Sequence, residues 1–212
     1  MVLEVLKYPD QRLRNKGAVI DKVTPELKAL AENMLETMYH EHGIGLAAVQ
    51  VGASVRFLVI DTRPRDDDGN ILTDGLTELE KQVEQPIAIF NPEIVVANEK
   101  TSYEEGCLSV PGFYETVDRF SYVEVRGLDV SGKPLIIKTD GLLAICLQHE
   151  MDHLEGKLFI DRLSFLKSSR IKSRIQKHGY PKPEELEEER EEARERRRAA
   201  KAAKKAMASV PE

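Results

Sequence analysis

Between residues 24 and 38 the apolar positions recur at Leu27, Leu30, Ala31, Met34, Leu35 and Met38. That three-and-four spacing predicts a helix with one buried face. Thr24 is a suitable N-cap and Pro25 fits the first helical position, while His42-Gly43 marks the end. A second helix is predicted from Thr139 or Asp140 to about Leu154, with Gly156 just past its end. The remaining apolar segments read as strands: VLEVLKYP, SVRFLVIDT, IAIFNPEIVV, YVEVRGLDV and KPLIIKTD. Ser131-Gly132-Lys133 between the last two predicts a hairpin turn, and the polar residues 64–86 read as an excursion from a sheet. No internal repeat is visible. Strands gathered ahead of one late helix predict an α+β fold.

At 212 residues the chain has room for one ordinary domain and a modest extension. With 31 Lys+Arg against 37 Asp+Glu, its net charge of −6 argues against a nucleic-acid-coating protein or a specific DNA binder. No apolar run approaches the roughly 20 residues that cross a bilayer, and MVLEVLKYPDQR lacks the pattern of a secretory signal. Two cysteines, Cys107 and Cys146, predict a reducing compartment rather than a disulfide scaffold. Together these predict a cytoplasmic protein with no membrane association. Residues 181–212 are different in kind: nine basic and nine acidic residues, no aromatics, acids first and bases after. They follow the breaker Gly179-Tyr180-Pro181 and read as a charged helix or a disordered appendage. The expected division is a mildly acidic body over residues 1–180, with a basic segment at 168–180, and a tail over 181–212.

Three segments carry chemistry. In Gln148-His149-Glu150-Met151-Asp152-His153 the two histidines fall one turn apart on one helix face, a spacing that lets both imidazoles bind one metal, with Glu150 beside them to move protons. A solvated helix face with chance spacing explains the same five residues about as well. In Glu105-Gly106-Cys107-Leu108-Ser109 the thiolate of Cys107 would complete a Cys-His-His set with a fourth position open, although a free Cys is more often a small buried hydrophobe. GIGLAAVQVG (43–52) has two glycines that admit a close backbone approach, and Gln50 offers an amide. By itself that is an ordinary helix-to-strand connection.

Taken together, GIGLAAVQVG, EGCLSVPG and QHEMDHLEG resemble, in order and spacing, the three signature motifs of peptide deformylase. The likeness runs over residues 1–167. It implies antiparallel sheets wrapped around a central HExxH helix, with an N-terminal helix and the charged C-terminal extension outside it. It also implies hydrolysis of the formyl group from N-formylmethionyl nascent peptides, with release of formate. By the same resemblance Cys107, His149 and His153 are the metal ligands and Glu150 is the general base acting on the metal's water. Gln50 and the backbone N–H of Leu108 form the oxyanion site, and Gly45 bonds the substrate backbone. Ile44, Glu105, Leu142, Ile145 and Cys146 line the methionine pocket. The implied metal is Fe2+, for which Zn2+, Ni2+ or Co2+ can substitute.

The match thins at Tyr114, where many members of the family have arginine, and Arg119 is the alternative basic group near the peptide. The longer 64–86 segment reads as a polar flap. Acting on nascent chains implies the ribosome as a partner, with KSSRIKSRIQK and the tail's basic cluster as candidate phosphate contacts; a solvated tail is the plainer reading. Two other readings stay open. An HExxH metallopeptidase needs a downstream His or Glu as third ligand, for which Glu155 is the near candidate. A non-catalytic ribosome-associated module should lack a ligand or the base.

Overall fold

A computed structural model describes residues 1–66, 69–182 and 184–185; the expected tail lies almost wholly outside them. Residues 1–171 form one compact unit and 172–212 a second. The elements run α1 (Pro25–His40), β1 (Gly45–Ala47), β2 (Phe57–Ile60), β3 (Ile87–Cys107), β4 (Val110–Leu128), β5 (Pro134–Thr139), α2 (Gly141–Leu154) and α3 (Phe165–His178). The five strands make a single antiparallel sheet in sequence order. The architecture is α+β, with one sheet where the sequence led us to expect several.

The sheet is covered on both faces at β2. Phe57-Leu58-Val59-Ile60 is buried at every position, yet its side chains still alternate. Phe57 and Val59 join Ala31, Met34 and Met38 of α1 with Leu46 and Phe90 in one cluster. Leu58 and Ile60 join Leu143, Leu147, Met151 and Leu154 of α2 in the other. The Phe57 and Phe90 rings stack with centroids 4.2 Å apart. α1 begins as its sequence indicates: Thr24 Oγ1 accepts from the Leu27 N–H at 3.4 Å, and Pro25 is the first helical residue.

Three differences from the sequence reading bear on the site. β3 and β4 form one long hairpin reaching to the Cys107↔Val110 pair, so EGCLSVPG is its tip and only Leu108-Ser109 turn the corner. The added length is polar (EKTSYEE, FYETVDRF), which hides the strand period. VLEVLKYP is not a strand of the sheet; it is tied by Leu6 N–H to Gln50 O at 2.8 Å and Tyr8 N–H to Ser109 O at 2.9 Å. The 64–86 excursion is anchored rather than a free flap, because Glu80 is buried and caps α2. Its Oε1 accepts from the Leu143 N–H at 3.0 Å and its Oε2 from the Thr77 N–H at 2.8 Å. Gly141 makes room for it: φ is +61°, and a Cβ there would lie 2.6 Å from the Glu80 carboxyl carbon. The hairpin turn before β5 stands where the sequence puts it, with the Gly132 N–H on Asp129 O at 2.9 Å.

Candidate metal centre

α2 presents His149 and His153 on one face, and the β3–β4 tip brings Cys107 to them. Both Nε2 atoms and the sulfur lie within 4.8 Å of one another. The separations are 3.3 Å from Cys107 Sγ to His153 Nε2 and 3.3 Å between the two Nε2 atoms. Two nitrogens at about 2.0–2.1 Å from a tetrahedral ion stand roughly 3.3 Å apart, so this spacing fits a single divalent metal. Glu105 Oε2 takes the His149 Nδ1–H at 2.9 Å, which leaves Nε2 turned toward His153. Glu105, expected to line the methionine pocket, also sets its carboxylate on the His149 ring.

Glu105 is itself held. Arg119, 1% exposed, donates from Nε and Nη2 to the two Glu105 oxygens at 2.6 and 2.8 Å, and from Nη1 to Asp152 Oδ2 at 2.6 Å. Arg162 closes the chain on Asp152, with Nη2 to Oδ1 at 2.6 Å. Burial alone would raise the Glu105 carboxyl, but Arg119 and His149 bring it down to about 2. Arg119 is therefore not open to a peptide, as its sequence position suggested, but is the core of a buried ion chain. Its parity on β4 matches that of Val117 and Phe113, both buried, and that is the one sequence signal for it.

Glu150 lies on α2 beside the three ligands. Burial pushes its carboxyl up to about 7, with the Glu105 charge adding to the rise. Its Oε2 and His153 Nδ1 are buried without a hydrogen-bond partner among the described residues. Burial drives the His153 imidazole well below its ordinary value, and the charge of His149 adds to this. Burial also lowers His149, but Cys107 and Glu105 overcome it and hold it well above.

Gly45 covers the site from β1, the sheet's edge strand. A Cβ on Gly45 would stand 2.4 Å from Glu150 Oε1 and 2.7 Å from Cys146 Sγ, so only glycine lets the backbone approach. Its neighbour Ile44 is 42% exposed, and Ile44 O accepts from the Asp61 N–H at 2.9 Å. Gln50 is buried; its Oε1 accepts from the Ala47 N–H at 2.8 Å, and its Nε2 donates to Ser109 Oγ at 3.1 Å and faces Cys107 Sγ at 3.7 Å. Leu108 forms the hairpin tip over Gly43. Leu142, Ile145 and Cys146 precede His149 by seven, four and three residues, hence on the same helix face. Burial, with the charges of Glu150 and Glu105, keeps the Cys146 thiol protonated. Tyr114, 58% exposed, lays its ring on Gly106, beside the ligand cysteine. Glu155, the third ligand a metallopeptidase would need, pairs instead with Arg56 at 2.6 Å and Lys16 at 3.4 Å.

The sequence model of the polypeptide deformylase family matches residues 2–169. A peptide deformylase of Tolumonas auensis is 47% identical over 82% of this chain and 95% of its own length. The crystal structure of Ehrlichia chaffeensis peptide deformylase in complex with actinonin matches with a TM-score of 0.72 and 39% identity, over 84% of this chain and 98% of that one. The Met-Ala-Ser-bound enzyme of Acinetobacter baumannii matches at 0.65 and 30%, over 77% and 99%.

Proposed function

The chain belongs to the polypeptide deformylase family and removes the N-formyl group from nascent peptides; we propose that Cys107, His149 and His153 hold the divalent metal of that reaction and that Glu150 moves its protons. The observation that supports this most directly is the three converging ligand atoms with a buried, unpartnered Glu150 oxygen beside them. The donor set, one thiolate and two imidazoles, suits a borderline-soft ion. Ferrous iron is our assignment, with Zn2+, Ni2+ or Co2+ able to substitute. When bound, the ion polarises the formyl oxygen and lowers the pKa of water toward about 7.

The chain's own residues do the rest. Glu150 accepts the proton of the attacking water and passes it to the departing amine, and its raised affinity for protons suits both halves of that task. Gln50 Nε2, 3.7 Å from Cys107 Sγ, and the backbone N–H of the adjoining Leu108 stabilise the oxyanion. The outer edge of β1 takes the peptide backbone at Gly45, as an added strand, while Ile44 lines the methionine pocket. Glu105, Leu142, Ile145 and Cys146 wall the methionine side chain. The central position of the HExxH helix is part of this reading, supported by the burial of Leu143–Leu154.

We place the enzyme in the cytoplasm, where formylated chains emerge, with residues 1–167 as its catalytic domain, 168–180 as a basic segment and 181–212 as a tail. α3 carries Lys167, Arg170, Lys172, Arg174 and Lys177, a charge pattern suited to ribosomal phosphates. The test is formate release from formyl-Met-Ala-Ser by protein purified without oxygen, with metal analysis of the same sample. Glu150→Gln is expected to keep its metal and lose roughly 10²–10⁴ in rate. A metal-loaded wild type that releases no formate, or full activity in Glu150→Gln, overturns the assignment.

A further inference from the structure

A second side of α2, next to the candidate ligand face, carries buried side chains that border a half-open cavity. Gln148, Met151, Asp152 and Glu155 recur at helical spacing there, and between them and the β3–β4 hairpin lies a cavity of about 430 Å3. That volume falls within the range of small-molecule sites. Ile94, Phe120 and Met151 give it an apolar floor. Gln148 fixes one wall: its Oε1 accepts from the Phe120 N–H at 2.9 Å and its Nε2 donates to Phe120 O at 2.8 Å.

The charges around the cavity are not balanced in their engagement. Each acid already has a partner. Asp152 holds Arg119 and Arg162, Glu155 holds Arg56 and Lys16, and Asp118 accepts from Ser102 Oγ at 2.7 Å. The cations have donors left over. Arg56 uses Nε on Pro92 O and Nη1 on Glu155, leaving Nη2; Arg162 uses Nε and Nη2 on Asp152, leaving Nη1. The exposed Lys100 ammonium has no partner among the described residues. Among the described residues Asp118 Oδ2 is the one carboxylate oxygen left over, so the surplus of donors over an apolar floor selects an acceptor-rich, negatively charged head on an apolar body.

We propose that this cavity, lined by Arg56, Lys100 and Arg162 over Ile94, Phe120 and Met151, binds a small organic anion. A carboxylate and a phosphate ester satisfy the same donors, so both are tested. The experiment uses full-length, zinc-loaded, 15N-labelled protein titrated with benzoate, with phenyl phosphate and, as the uncharged match, with benzyl alcohol. We expect saturable amide shifts at Lys100, Phe120 and Asp152 with one or both anions at about millimolar concentration, and none with benzyl alcohol. The tighter anion identifies the head group. Lys100→Ala, on an exposed strand position, and Arg162→Gln should each weaken binding about tenfold, the scale of one charged hydrogen bond. Shifts confined to Gly45 and Leu108 would mean that the anion sits on the metal, and would overturn the proposal. So would the absence of saturation by about 20 mM, or unchanged affinity in both variants.

Discussion

Arg119→Met tests whether the metal site rests on the buried ion chain. In the native protein Arg119 is 1% exposed, Glu105 4% and Asp152 10%. Asp152 keeps Arg162 when Arg119 is removed, so the stranded charge is that of Glu105, left with the His149 Nδ1–H alone. Breaking a buried pair from one side costs about 3–5 kcal/mol, a large part of the roughly 5–15 kcal/mol that holds a domain together. Adding Glu105→Gln removes the stranded charge yet keeps an acceptor for His149. The double variant should therefore be less destabilised than the sum of the singles by roughly 1.5–3 kcal/mol. Urea unfolding followed by far-UV circular dichroism measures this, since the chain has no tryptophan to report by fluorescence. Zinc must be held at one concentration throughout, because binding to the folded state alone adds stability. Metal affinity of Arg119→Met should drop about 10–100-fold as the His149 ring loses its fixed orientation. A cost below about 1 kcal/mol, or strict additivity of the two substitutions, would refute the reasoning.

Gly45→Ala should fold and bind metal but lose formate release, since its Cβ would meet Glu150 Oε1 at 2.4 Å; wild-type turnover in a steady-state assay would contradict this. Glu80→Ala should lose about 1–2 kcal/mol by uncapping α2, and an unshifted urea midpoint would refute the capping role. Burial opposes the ionisation of Asp61, but Arg63 and Tyr39 bring its carboxyl from 3.8 to about 2. Its contribution is therefore whole above the unfolded value near 3.8 and is lost as pH falls through about 2. Tyr39→Phe removes one of these supports, at 2.7 Å, so acid unfolding should begin at higher pH, and an unchanged acid transition would count against it. The acid limb of kcat/KM should lie at or below about 7, because Glu150 works as a carboxylate and a bound cation can only lower its value; a limb near pH 8 would identify a different base.

The pairing of His149 with His153 was legible because its spacing states a geometry: two histidines one turn apart need no tertiary information to share a face. The helices were legible for the same reason, through Thr24, Pro25 and the periodic apolar residues after them. What supports the ligands was not. Arg119 lies fourteen residues from Glu105 and thirty-three from Asp152, and a lone arginine in VDRF reads as an exposed strand residue until its register places it inward. Glu80 was hidden in a run of acids, TELEKQVEQ, where nothing local separates the one that caps a helix from those in water. The extent of the β3–β4 hairpin was obscured because the outer part of β3, Asn98 to Glu104, is polar on both faces. The antiparallel pairing past Asn98↔Tyr122 is fixed by backbone bonds more than by side-chain pattern.

Cys107 and His149 stand forty-two positions apart in the chain, the first on a hairpin tip and the second on a helix. An ion shared between them, as proposed, would be a staple that closes a large ring. Treated like a disulfide of that span, it would remove chain entropy worth about 4 kcal/mol from the unfolded state. Unlike a disulfide, it is installed and withdrawn by mass action. The metal supply around the enzyme would then be written into the lifetime of the polypeptide as well as into its turnover, with the demetallated chain the first to open to a protease.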